Sequence, residues 1–287
     1  MPINIAQALR KAEDILRENH IESPQLDARV LMCHCIKRPE TFLLAHPEHL
    51  LSEQETRLFF KLVQRRSTRE PVAYITGKKE FWSGTFLCTP ATLIPRPETE
   101  LLIETALEFF KASGRTPKHI LDLGTGTGCI GITLAASWTG ATTVLTDIDP
   151  GALEVARKNI ARLLNDNCRV HVVCSDWFGG ISREFKFDLI TANPPYVSRE
   201  EIGLLPEDVI RFEPETALFS SSEGMSEIRR IFSRAHEYLR PGGVVLSEIG
   251  WQHGSSVSGY VQSLGFYNKA FVARDLSGHE RVVAACI

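Results

Sequence analysis

The sequence predicts an α/β protein with a doubly wound, mostly parallel β-sheet, preceded by a small helical domain. Two observations predict the sheet. From residue 119 onward, β-branched and apolar runs alternate with segments of helical period, which gives five strand–helix units and a final antiparallel pair. A glycine-rich turn follows the first strand, and polar residues end the following strands. Sheets of this kind bind ligands at the carboxyl ends of their strands, where the strand order reverses.

The composition sets broad limits on the class of protein. The 287 residues are 43% hydrophobic and 23% charged, with a net charge of −3. These values are typical of a globular chain of about two domains and argue against a disordered chain or a polycation that coats nucleic acid. We expect neither a secretory signal nor a membrane span, since apolar runs of the required length are lacking. The seven scattered cysteines indicate neither a disulfide framework nor a metal site, so we expect a reducing, cytoplasmic location.

Residues 1–71 are predicted to form the helical domain. Apolar residues recur at helical spacing from Ile5 to Leu16. Ser23 before a proline is typical of an N-cap, and Ser52 with Glu55 fits a capping box. We expect this domain to dock the substrate.

The helix predicted after this box, over residues 56–66, has two faces of different character. Leu58, Phe59 and Leu62 are expected to pack on a core. Three basic residues four apart form a basic stripe, which consists of Arg57, Lys61 and Arg65. A solvated helix face and a docking surface for an acidic partner explain this stripe equally well.

Residues 72–95 are predicted to form a β-hairpin linker, because aromatic and β-branched residues are interrupted there by glycine and proline. The second domain then covers residues 96–287 and opens with a helix over residues 98–111. Its predicted strands cover residues 119–123, 142–146, 170–174, 187–191, 244–248, 267–274 and 281–286. Its further predicted helices cover residues 128–137, 150–164, 224–239 and 254–264.

The turn after the first strand is a candidate cofactor site. It consists of Gly124, Thr125, Gly126, Thr127 and Gly128. Glycines allow a tight turn and a close approach of a ligand to the backbone, but the G-x-G-x-G spacing differs from that of dinucleotide-binding proteins. Asp122, just before the turn, would repel a pyrophosphate and favours a ligand with a cationic end.

Acidic and aromatic residues follow the next two strands. Asp147 can accept both hydroxyls of a ribose, whereas Asp149 is interpreted as the N-cap of the following helix. Asp176 can bind an adenine amino group, and Trp177 can stack on the base or belong to the core. Together these strand ends predict a pocket for adenosine with a charged tail, as in S-adenosylmethionine.

The fourth strand ends in Asn193, Pro194, Pro195 and Tyr196. The two prolines lack backbone donors, so carbonyl groups and the Asn193 side chain remain as acceptors. The Asn193 side-chain oxygen and the Pro194 carbonyl can accept both hydrogens of a planar –NH₂ group. This turns the nitrogen lone pair toward a methyl donor, and Tyr196 offers a face for stacking.

These features resemble the HemK/PrmC family of class I S-adenosylmethionine-dependent methyltransferases nearly end to end. Residues 92–100, 175–178 and 211–218 carry the resemblance together with the glycine turn and Asn-Pro-Pro-Tyr. The resemblance implies a seven-stranded sheet and methylation of the glutamine side-chain amide in the Gly-Gly-Gln motif of peptide chain release factors. It also implies that residues 124–128, Asp147, Trp177 and Asn193 bind the cofactor. Asn193, Pro194 and Tyr196 are then catalytic, and with Pro195 they bind the glutamine. It leaves the role of Glu248 open.

Two other functions stay open. An adenine-N(6) DNA or RNA methyltransferase uses the same Asn-Pro-Pro-Tyr chemistry, although the net charge of −3 argues against a nucleic-acid substrate. A non-catalytic protein could use the basic N-terminal helices to dock on the translation machinery, but the complete cofactor motif argues against it.

Overall fold

The computed structural model describes residues 2–165, 167–221 and 224–287 and contains two compact units. The first unit comprises the chain up to Lys78 together with Pro206–Phe212. The second comprises Lys79–Leu205 and Glu213–Ile287. No helix in the described part of the chain combines the length and apolar character that a membrane span requires.

The first unit is helical. Its helices are α1 (Ile5–Glu18), α2 (Pro24–Ile36), α3 (Glu40–Ala45), α4 (Glu53–Ser67) and α5 (Val72–Thr76), with a later helix over Glu207–Phe212. The predicted capping box is confirmed, since Ser52 Oγ accepts the Glu55 amide at 3.2 Å and the Glu55 carboxylate accepts the Ser52 amide at 2.8 Å. Ser23 occupies the N-cap position of α2, but its side chain makes no capping hydrogen bond there.

The faces of α4 differ in part from the prediction. Phe59 and Leu62 are buried as expected, whereas Leu58 is 42% exposed. Each residue advances about 100° around a helix, so a buried face centred on Phe59 leaves Leu58 at its edge. In the basic stripe, Arg57 pairs with Glu53 of its own helix at 3.2 Å, and Arg65 Nε donates to Glu70 at 2.8 Å. This pairing favours a solvated helix face.

The hairpin prediction holds only for part of residues 72–95. Strands β1 (Lys78–Phe81) and β2 (Gly84–Leu87) form the hairpin. Tyr74 and Ile75, expected in it, lie buried on the helix α5. Their amides donate to the Pro71 carbonyl, and Gly77 ends the helix at a φ of +73°. Burial therefore outweighs the strand preference of these two residues.

The second unit contains the predicted seven-stranded sheet, which is confirmed. Its strands are β3 (His119–Leu123), β4 (Thr142–Asp147), β5 (Arg169–Cys174), β6 (Phe187–Ala192), β7 (Leu239–Glu248), β8 (Lys269–Arg274) and β9 (Glu280–Cys286). The order is β5-β4-β3-β6-β7-β9-β8, and only β9 runs antiparallel to both of its neighbours. The order reverses between β3 and β6. These two strands therefore flank the switch point at which such sheets bind ligands.

Helices cover the sheet and connect its strands. They are α6 (Glu100–Ser113), α7 (Cys129–Ser137), α8 (Pro150–Leu163), α10 (Glu215–Leu218), α11 (Ser226–Ala235) and α12 (Gly254–Ser263), with α9 (Glu207–Phe212) assigned to the first unit. Two apolar clusters form the core of this unit. Phe187, Ile190 and Phe232 belong to one, and Phe110, Ile120 and Leu145 belong to the other.

Several boundaries in the second unit differ from the sequence prediction. The strand β7 begins at Leu239, five residues before its predicted start, because Leu239 pairs with Phe187 across an irregular register. The helix α11 accordingly ends at Ala235. The sequence did not predict α10 or the 3₁₀ helix Arg199–Leu204 in this unit, nor α9 in the first unit. These are four to six residues long, too short to show a hydrophobic period.

Candidate active site

A cavity of about 370 Å³ lies at the carboxyl ends of the parallel strands. Its wall includes residues 124–127 after β3, residues 147–149 at the end of β4 and residues 175–177 after β5. Asn193 and Pro195, after β6, also line it. All of these belong to the second unit. The cavity therefore occupies the ligand position that the strand order predicts.

The first four residues of the glycine turn, 124–127, line this cavity, whereas Gly128 lies outside its wall. Gly124 has a φ of +65°, and a Cβ built there would lie 3.2 Å from the ring of Trp177. Gly128 has a φ of +84° and precedes α7, and a Cβ there would lie 2.7 Å from the Ile132 side chain. At both positions the positive φ favours glycine, and a Cβ would also crowd a neighbouring side chain.

Asp122 anchors this turn and does not face a ligand, which corrects the expectation from the sequence. Its side chain is fully buried outside the cavity wall. The carboxylate accepts the Thr125 hydroxyl at 2.5 Å, the Thr191 hydroxyl at 2.8 Å and the Gly131 amide at 3.2 Å. Burial nevertheless raises the pKa of Asp122 to about 6.

Asp147 lies in the cavity wall at the end of β4. One carboxylate oxygen accepts the Gly126 amide at 2.8 Å and the other accepts the Asp149 amide at 3.0 Å. Each oxygen keeps a second lone pair for a ligand, while burial raises the pKa of Asp147. Asp149 caps α8 by accepting the Gly151 amide at 2.7 Å, which confirms its predicted N-cap role.

Trp177 and Asp176 are held by two residues of α11 that the sequence did not single out. The Trp177 indole N–H donates to Glu227 at 2.6 Å. Arg230 donates to the same carboxylate at 2.9 Å and pairs with Asp176 at 2.7 Å. Trp177 packs against the core and also lines the cavity. Its core role is confirmed, and stacking on an adenine base stays a prediction.

The Asn-Pro-Pro-Tyr segment divides between the cavity and the interior. Asn193 and Pro195 line the cavity, whereas Pro194 is buried and Tyr196 lies outside the cavity wall. The Asn193 side-chain amide donates to the Thr99 hydroxyl at 3.2 Å. The Tyr196 hydroxyl donates to the buried Glu248 at 3.1 Å.

An ion pair between the partly exposed Arg96 and the buried Glu213 joins two loops of the cavity wall. The Glu213 side chain is 1% exposed, pairs with Arg96 at 2.5 Å and accepts the Ile94 amide at 3.1 Å. Arg96 and Pro214, next to Glu213, both line the cavity. The sequence signal for this pair is that Arg96 and Glu213 lie in two of the segments that carry the family resemblance.

The cavity suits an uncharged nucleoside with a cationic tail. Four carboxylates line it, those of Asp147, Asp149, Asp176 and Glu227, together with Arg96 and Arg230. Arg230 pairs with Asp176 and Glu227, whereas Asp147 and Asp149 have no arginine partner among the described residues. These two carboxylates disfavour a phosphate group beside them by charge repulsion and favour a cation. The adenosine and sulfonium portions of S-adenosylmethionine fit this wall. The fold and the cavity therefore define a class I methyltransferase, the class that uses S-adenosylmethionine as methyl donor.

Comparison with known proteins identifies the family to which the chain belongs within this class of methyltransferases. Family models match at residues 7–77, the PrmC N-terminal domain, and at residues 98–210, the methyltransferase small domain. The chain is 38% identical to the release factor glutamine methyltransferase of Vibrio cholerae, covering 98% of this chain and 96% of that protein. It is 39% identical to the protein of the same name from Escherichia coli K12, covering 91% of each. The chain belongs to the release factor glutamine methyltransferase family, and its resemblance to HemK/PrmC is confirmed.

Solved structures of lower identity share the fold. The hMettl16 catalytic domain in complex with a MAT2A 3′UTR hairpin matches with a TM-score of 0.55 at 15% identity, covering 83% of this chain and 84% of that chain. The Thermus thermophilus 16S rRNA N2 G1207 methyltransferase in complex with AdoMet and guanosine matches with a TM-score of 0.51 at 18% identity, covering 73% and 49%.

Proposed function

We propose that this protein transfers a methyl group from S-adenosylmethionine to the side-chain amide nitrogen of the glutamine in the Gly-Gly-Gln motif of peptide chain release factors. The observation that carries the proposal is the Asn193 carboxamide at the cavity wall, at the carboxyl end of β6. Family membership over nearly the whole chain supports the same reaction.

Asn193 is suited to hold a primary amide. Its Nδ2 is engaged by Thr99, so its Oδ1 remains available to accept an N–H of the substrate. The Pro194 carbonyl is the second acceptor in the proposed arrangement. Because both N–H groups of the glutamine amide are then held, the nitrogen lone pair points away from them, toward the cavity.

An amide nitrogen is a weak nucleophile because its lone pair is delocalised. The sulfonium supplies an activated methyl group. In the proposed step the new N–C bond forms as the S–C bond breaks, and the amide proton leaves to water. We assign most of the rate enhancement to positioning, with the Asn193 and Pro194 oxygens stabilising positive charge that develops on the nitrogen.

The proposed cofactor site is formed by residues of the same cavity wall. We assign the ribose hydroxyls to the remaining lone pairs of Asp147, the adenine ring to Trp177, and the amino-acid portion to the glycine turn. The hydrogen bond from Trp177 to Glu227 fixes the plane of the indole ring. Asp149 and Asp176 add negative charge to the same wall.

A methyl-transfer assay with labelled S-adenosylmethionine tests the proposed function. The acceptors are a folded release factor, the same factor with its Gly-Gly-Gln glutamine changed to alanine, duplex DNA and ribosomal RNA. We expect label in the unchanged factor alone. Label in DNA or RNA would support the adenine-N(6) alternative, and equal label in both factors would place the reaction at another residue.

A further inference from the structure

Glu248 is a buried carboxylate beside the candidate active site with no part in the steps above. It ends β7, is 1% exposed and lies outside the cavity wall. One oxygen, Oε1, accepts the Tyr196 hydroxyl at 3.1 Å. The other, Oε2, has no hydrogen-bond partner among the residues that the structure describes. A buried acceptor without a partner is costly and requires an explanation.

The Thr99 hydroxyl needs a hydrogen-bond acceptor, just as the Oε2 of Glu248 needs a donor. Its side chain is 2% exposed, and its oxygen accepts the Asn193 amide at 3.2 Å. A hydroxyl carries one proton that also needs an acceptor. Burial raises the pKa of Glu248, and the nearby hydroxyls of Thr99 and Tyr196 lower it. Glu248, whose Oε2 is buried and unpartnered, is thus the candidate acceptor for the Thr99 proton.

We propose that Glu248 is a positioning residue for methyl transfer: it takes the Thr99 proton at Oε2 and thereby fixes the orientation of the Asn193 carboxamide. The inference rests on the proposed function for its catalytic consequence. With its proton committed to Glu248, the Thr99 oxygen can only accept. Asn193 must then turn Nδ2 toward Thr99 and Oδ1 toward the cavity.

The orientation matters because an asparagine side chain has nearly the same shape in its two flipped positions. In the flipped position, the Asn193 –NH₂ would face the –NH₂ of the substrate glutamine, and two donors would oppose each other. A carboxylate supports the productive position because, when ionised, it only accepts hydrogen bonds. Arg281 stabilises this charge and Glu98 opposes it.

A double-mutant cycle tests the hydrogen bond without reference to activity. Thr99→Val removes the hydroxyl while keeping the shape, and Glu248→Gln replaces one acceptor by a donor. We expect each single substitution to lower the folding equilibrium constant about tenfold, and the double substitution to lower it no further than either alone. Independent, multiplying effects would overturn the proposed bond. Thr105→Val is the matched control, since this buried hydroxyl of α6 donates to the Leu101 carbonyl.

Steady-state kinetics with the release factor test the positioning role. We expect Thr99→Val and Glu248→Gln to lower kcat about tenfold or more. Cofactor affinity should stay within about twofold in Glu248→Gln, because Glu248 lies outside the cavity wall. Thr99 lines the cavity, so Thr99→Val is judged by kcat alone. Thr99→Ser, which keeps the hydroxyl, should restore most of the turnover. Full turnover in Glu248→Gln would overturn the role of Glu248. A wild-type protein that methylates no release factor would instead overturn the proposed function, and the cycle would still decide the hydrogen bond.

Discussion

Because Asp122 is buried, we expect the free energy of unfolding of the second unit to fall as the pH rises. Burial raises its pKa from an ordinary value of 3.8 to about 6. The folded state therefore holds the proton more tightly than the unfolded state, and this carboxyl weakens folding as the pH rises from about 4 to about 6. Each pH unit between the two values is worth about 1.4 kcal/mol, so the ionised group costs about 3 kcal/mol above pH 6.

Asp122→Asn removes this titration. The stability of the wild type minus that of the variant should fall by about 2 kcal/mol between pH 4.5 and pH 7.5, the part of the change that lies in this interval. Urea unfolding followed by tryptophan fluorescence measures it, and the signal reports the second unit because that unit contains all four tryptophans.

The control for this experiment is Glu215→Gln, in the same unit as Asp122. Glu215 forms an exposed ion pair with Arg199 at 3.5 Å, and such pairs contribute little. The wild-type-minus-control difference should stay flat over the same pH interval. A flat or rising difference for Asp122→Asn would refute the reasoning, since it would mean that the carboxyl is not desolvated in the folded protein.

Three further substitutions test other parts of the site. Asp147→Ala should weaken S-adenosylmethionine binding about 10- to 100-fold, because a charged acceptor worth about 1.5–3 kcal/mol is lost; unchanged affinity in titration calorimetry would remove Asp147 from the site. Asn193→Ala should lower kcat with the release factor at least about tenfold while cofactor affinity changes little, and near-normal turnover would contradict the lone-pair argument. Glu213→Gln should destabilise the second unit by about 2 kcal/mol, since the partly exposed Arg96 loses its buried partner; a urea midpoint unchanged by the substitution would show that the pair does not hold the two loops.

The sequence by itself determined the features that depend on neighbouring residues. The capping box at Ser52 and the N-cap at Asp149 are hydrogen bonds across three residues or fewer, so the motif and the structure coincide. The strands of the sheet were predicted because buried parallel strands are continuous apolar runs. Because sheets of this kind bind ligands at the carboxyl ends of their strands, the sequence then predicted that the glycine turn and Asp147 lie at one cavity.

Local preference failed where burial or long-range pairing decided the structure. Tyr74 and Ile75 have strand preferences, yet they lie on a helix whose buried side holds them. Leu239 joins β7 because Phe187, on another strand, pairs with it. Neither the burial of Tyr74 and Ile75 nor the pairing of Leu239 can be predicted from a short window of neighbouring residues.

Within the candidate site, tertiary structure decided which polar groups face the ligand and which face the protein. Asp122 and Asp147 both lie near the carboxyl end of an apolar strand. In the structure, three hydrogen-bond donors enclose Asp122 inside the unit, whereas Asp147 lies in the cavity wall. The partners of Asn193 and Trp177 lie 94 and 50 residues away in the chain. Such contacts form only when distant segments meet, and a buried polar group takes whichever partner the fold brings to it. The orientation of the Asn193 carboxamide is therefore a property of the folded unit, although the asparagine itself was evident from the sequence.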